Sequence, residues 1–230
     1  MSSSKIAGLG GAGFFVCVLV ENLLRRGQPA NDADWPSVLA WYRSSGASIT
    51  VSEGLFVAAI PCLIAFGVGT YFTLRAHERA APWALAGALS LTLMTPLLAG
   101  AMAVDIVLDA NASRLAVHSE TGRVLWALKA SFFTLTAPVL ATGLFTMAMA
   151  TKAAAIGSRW VSTLAQLGSL AGFVSVLAPR FVVEGSALQW LSFAMFACWM
   201  LFLLVTSLSM LRNPATNGSS PSSELAGSPG

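Results

Sequence analysis

Apolar residues run along the chain in six long blocks, at 6–24, 49–74, 82–108, 124–150, 161–183 and 187–211, with shorter polar stretches between them. A spanning helix needs ~20 predominantly apolar residues, and each block is near or above that length. The pattern predicts an all-α fold: a polytopic transmembrane bundle of about six spanning helices, forming one domain over 1–212. From 213 to 230 the chain is mostly Ser, Pro, Gly, Asn and Thr, a composition expected to stay disordered.

The first block has the weak positive start of a signal peptide, at Lys5. Yet Glu21, Asn22, Arg25 and Arg26 follow it in place of a small-residue cleavage site, so it reads as a span. Ala7, Gly8, Gly10, Gly11, Ala12 and Gly13 make its first half very small. Small residues let helices approach closely in lipid, which predicts tight packing there.

The longest connection runs from Arg25 to Ser48. Asp34 ahead of Trp35 and Pro36 is a helix start, with an acid at the N-cap and proline in the first turn. Val38, Leu39, Trp41 and Tyr42 then offer an apolar and aromatic face. The expectation is a short amphipathic helix lying at the interface, with Trp35, Trp41 and Tyr42 at headgroup level.

Composition agrees with the pattern. Of 230 residues 56% are hydrophobic and 10% charged, against roughly 25% charged in a soluble domain. The net charge of +3 comes from basic residues at span ends, the usual place in membrane proteins, and does not indicate nucleic-acid binding. Lys5, Arg75, Arg79, Lys152, Arg159 and Arg212 fall on one side, and Arg25, Arg26, Arg43, Arg114 and Arg123 on the other. The short basic loops put both termini in the cytoplasm. Abundant alanine and arginine are associated with a bacterial source.

Ionisable groups inside a bilayer are functional candidates by default. Glu21, Glu53, Asp105, Lys129 and Arg180 lie near the ends of their spans, with Glu184 at the following turn. Because successive spans alternate in direction, all belong to one leaflet, the outer one on this orientation. Glu53 and Asp105 would lie on the order of 13–15 Å from mid-span, and Glu21 and Lys129 roughly 10–12 Å, at ~1.5 Å per residue. They form either interfacial anchors with ion pairs such as Asp105 with Lys129, or the lining of a water-accessible vestibule for a polar or zwitterionic ligand. Pro61, Pro96 and Pro138 fall near the middle of three spans, where proline removes a backbone bond and kinks the helix. Thr92, Thr95, Thr134 and Thr136 are close enough to rebond the freed carbonyls.

Other chemistry is disfavoured. His77 and His118 sit in loops on opposite sides, which argues against a bis-histidine haem. Zincin, serine-hydrolase and phosphate-loop motifs are missing. Gly8, Gly10 and Gly13 match G-x-G-x-x-G without a preceding strand. Cys17, Cys62 and Cys198 lie in separate apolar blocks with no C-x-x-C. The expectation is no cofactor, no metal and no catalytic residue.

Pro29, the run from Trp35 to Tyr42, Glu53-Gly54-Leu55 and the closing Leu74-Arg75 resemble a broad group of bacterial, actinobacterial-type multi-pass integral membrane proteins of unknown function. The resemblance implies location in a plasma membrane and topology, and carries over no catalytic residue. The leading expectation is a protein that binds or translocates a small polar or amphipathic molecule through an outward-facing charged vestibule. The alternatives are an accessory subunit working by helix packing, as a homo-oligomer or with a membrane partner, and a membrane enzyme acting on lipid headgroups.

Overall fold

A computed structural model describes residues 1–177, 187 and 189–212. Among these residues there are seven helices and no strand: α1 (Ser3–Leu24), α2 (Trp35–Leu74), α3 (Ala81–Ala110), the single turn α4 (Ala112–Leu115), α5 (Ser119–Ala153), α6 (Arg159–Ser175) and α7 (Gln189–Arg212). Five of them, α1, α2, α3, α5 and α7, are long and apolar enough to cross a membrane. The fifth predicted span begins in α6, which ends at Ser175. Residues 178–183 of that span lie outside the described residues, as does the 213–230 tail.

The long helices pack in chain order, α1 on α2, α2 on α3, α3 on α5, α5 on α6 and α6 on α7, and α7 returns to α1. This closes a ring of six. Its outward faces carry Leu9, Val16, Leu23, Val57, Leu89, Leu93, Leu135, Leu167 and Leu170, all exposed, which suits an apolar solvent. Its interior is one apolar core, from Phe14 and Val18 on α1 to Trp199 and Phe202 on α7.

The expected separate interfacial helix is instead the beginning of α2, which continues unbroken for 40 residues. Nothing in 43–48 stops a helix. The Ser44 hydroxyl donates to the Trp41 carbonyl at 3.1 Å and Thr50 to that of Gly46 at 3.0 Å, so polar side chains satisfy themselves on the helix. Asp34 is the N-cap, accepting from the Ser37 N–H at 3.2 Å, with Pro36 in the first turn. At ~1.5 Å per residue α2 is about 60 Å long, twice the ~30 Å hydrocarbon thickness. Its first turns therefore stand beyond the apolar part of the ring.

Trp35, Trp41 and Tyr42 are turned into the protein, not toward headgroups, and form a second core with Ile49, Leu108, Leu115 and Trp126. Trp35 Nε1 donates to the Leu115 carbonyl at 3.2 Å and Trp126 Nε1 to that of Asn31 at 3.1 Å. Both indoles thus find a partner as buried indoles require.

At the opposite end the small face of α1 is filled by its own neighbours. A Cβ at Gly10 would lie 2.7 Å from the Cys62 carbonyl oxygen and the Phe66 nitrogen, and one at Gly69 would lie 2.7 Å from the Ala7 nitrogen. The Ser4 hydroxyl donates to the Met210 carbonyl at 2.7 Å, tying the first turn of α1 to the last turn of α7. Pro61, Pro96 and Pro138 all lie inside continuous helices. The Thr92 carbonyl, which Pro96 leaves without its helical donor, accepts from the Thr95 hydroxyl at 2.7 Å. Thr92, Thr134 and Thr136 bond other carbonyls, those of Ala88, Ala130 and Phe133.

Candidate functional site

Where the apolar part of the ring meets the aromatic second core, three helices bring charged side chains together and a fourth adds a tyrosine. Asp105 on α3 is fully buried. Its Oδ1 accepts from the Tyr42 hydroxyl at 2.5 Å and from Lys129 Nζ at 2.5 Å, and its Oδ2 faces Arg25 Nη2. Arg25, just past the end of α1, also holds Glu21 through Nε–Oε1 at 2.8 Å. Asn22 Nδ2 donates to the second Glu21 oxygen at 3.0 Å and to the Val18 carbonyl at 2.8 Å. Lys129 Nζ lies 4.7 Å from the centre of the Trp126 ring and 6.0 Å from that of Tyr42, within cation–π range.

The charges balance. Glu21 and Asp105 supply two negatives, Arg25 and Lys129 two positives, and each group is at least nine-tenths buried. A buried charge is tolerated when it is paired: Asp105 faces both cations and Arg25 holds Glu21, while Arg25 Nε and Nη2 and Asp105 Oδ2 make no hydrogen bond among the described residues.

Against the network lies a cavity of about 540 Å³. Glu21, Asn22, Arg25 and Lys129 form its polar end, while Phe14, Phe56, Leu98, Leu140, Met195 and Trp199 line its body. Phe14 is seven residues from Glu21 along α1, so the space runs roughly 10 Å inward from the charges. It reaches the level of Pro96 and Pro138, where Met94 and Ala137 line it.

No protein-family model matches the chain, and no curated protein or solved structure is similar to it.

The five residues singled out from the sequence therefore part company. Glu21 and Lys129 line the cavity. Asp105 stands behind them, paired with Lys129 as an ion pair across α3 and α5. Glu53 is buried on α2 with its Oε1 lacking a partner among the described residues, and it does not line the cavity. Arg180 and Glu184 lie outside the described residues. Sequence reasoning missed Arg25, assigned to a loop, and Tyr42, assigned to the headgroup region. A signal for Arg25 was present: Glu21 and Arg25 have the i, i+4 spacing that pairs charges on one helical face.

Proposed function

We propose that this chain is a multi-pass protein of a bacterial plasma membrane, with six spans, that binds or translocates a small amphipathic molecule. The observation that carries the reading is the shape of the chemistry in one cavity, charged donors and acceptors at one end and an aromatic and aliphatic body behind them. A purely polar solute would leave that body unfilled, and a purely apolar one would leave the charges unserved.

Parity supports six spans. The Ser4–Met210 bond brings both ends of the described chain to the same end of the bundle, which favours an even number of crossings, and five helices are long enough. The ring position of α6, between α5 and α7, supports reading its segment as the sixth. The basic short loops favour cytoplasmic termini, and the charged end of the cavity then faces outward.

Neither alternative gains an observation. The small face of α1 that suggested a helix-packing subunit is covered by α2 and α7 of the same chain. Glu21, as a general base for headgroup chemistry, is engaged by Arg25 and Asn22.

The test is thermal unfolding in nonionic detergent with a panel of charged single-chain amphiphiles. A ligand at a hundred times its Kd adds about 2.7 kcal/mol to stability. The expected result is a saturable rise for at least one amphiphile, abolished by Ala137→Phe, which fills the body of the cavity and leaves the charges in place. No rise with any amphiphile would sink the reading.

A further inference from the structure

We infer that the occupant is a membrane lipid with an anionic phosphate headgroup, one chain of which enters the cavity sideways between α1 and α7. This deepens the proposal above and rests on the cavity being a ligand site.

The route comes from how α1 and α7 meet. Near the chain ends they touch closely: Ser4 bonds Met210, and a Cβ at Gly8 would lie 2.6 Å from Leu211 Cγ. Toward the charged end the same two helices turn residues to the cavity instead, Phe14 and Val18 on α1, Phe196 and Trp199 on α7. At that end, Trp190 and Phe193 line the cavity and are also 68% and 57% exposed. Among the described residues the opening is thus framed by aromatic rings continuous with the apolar exterior. On the proposed route a lipid chain enters past these rings from the apolar exterior.

The headgroup comes from which hydrogen-bonding capacity is left over. Asp105, the counter-ion of Arg25 and Lys129, sits behind them and does not line the cavity. Both Glu21 oxygens are already engaged, one by Arg25 and one by Asn22. Arg25 pairs its charge with two carboxylates through Nε and Nη2 without hydrogen-bonding them, and Nη1 faces no carboxylate among the described residues. Lys129 commits one of its three N–H bonds, to Asp105. The polar end therefore offers donors and positive charge. A phosphate supplies acceptors for both, in charge-assisted bonds, while the one carboxylate lining the cavity among the described residues, Glu21, is already paired with Arg25. The volume of about 540 Å³ lies in the ~300–1,000 Å³ range that holds one small ligand, room for a single chain.

The experiment titrates the purified full chain in nonionic detergent with dodecyl phosphate, dodecyltrimethylammonium and inorganic phosphate, counting bound molecules by native mass spectrometry. Dodecyl phosphate is expected to bind one to one, at least ten-fold tighter than the ammonium amphiphile. Inorganic phosphate should not displace it, and Ala137→Phe, checked for an unchanged unfolding temperature, should lose it. Equal or tighter ammonium binding overturns the headgroup assignment. Displacement by inorganic phosphate at comparable concentration overturns the lipid source. Undiminished binding to a folded Ala137→Phe variant overturns the location. Failure of every amphiphile to bind removes the ligand site itself, and with it the function proposed above.

Discussion

Asp105 is the residue on which the charged network converges. It accepts from Tyr42 and Lys129 and faces Arg25, so three side chains from three other segments depend on one carboxylate. Asp105→Asn would leave two cations in a dry site with one acid between them. Removing one partner of a buried pair costs about 3–5 kcal/mol, to be read as a fall in thermal stability in detergent. Adding Lys129→Met should restore part of the loss, and a double-mutant cycle measures the coupling. Tyr42→Phe removes one bond to a charged acceptor, a smaller loss of about 1.5–3 kcal/mol. Glu53 differs in kind. Its Oε1 is buried without a partner among the described residues, so Glu53→Gln should leave the unfolding temperature unchanged or raise it. A marked fall would mean that the carboxylate has a counter-charge.

Helices here meet by backbone approach at one end and by charge at the other. Gly10 and Gly69 admit the α1–α2 contact because a Cβ at either would press on main-chain atoms 2.7 Å away. Main chain cannot swing aside as a side-chain tip can. Gly10→Ala should therefore cost about 1–3 kcal/mol, the usual penalty of overpacking. Gly46 has nothing within 4 Å of its would-be Cβ and lies inside α2. Gly46→Ala should stabilise by about 0.4–1 kcal/mol, by restricting the unfolded chain. Parallel unfolding curves of the two variants, shifted in opposite directions, would check both. The length of α2 has the same origin as that contrast: with no proline between Pro36 and Pro61 and with its serines bonded to its own turns, the helix had no local reason to end at residue 48.

At the scale of the whole molecule, a ring of six helices closed by α7 on α1 makes parity and cavity consequences of one topology. Reporter fusions at the two ends should give the same compartment signal, cytoplasmic on the charge argument, and opposite signals would remove α6 as a crossing. The closed ring also explains why the interior holds a space. Prolines within α3 and α5, at the level the cavity reaches, weaken the helices where close packing would otherwise continue.

Much of the architecture was legible in the amino-acid order because it is local. Twenty apolar residues make a span whatever their neighbours do, Asp34 caps a helix through a bond to Ser37 three residues on, and alternating spans brought Asp105 and Lys129 to one depth. What depends on how helices rotate against each other was not local. Arg25 reaches Asp105 across 80 positions and Tyr42 reaches it across 63, partnerships that no window of hydropathy contains. Tertiary packing alone decided that Trp35, Trp41 and Tyr42 turn inward, that the small face of α1 is used within the chain, and that Glu21 and Lys129 border a cavity while Glu53 does not. Hydropathy is a property of each residue, whereas the facing of a helix is set by every neighbour it packs against.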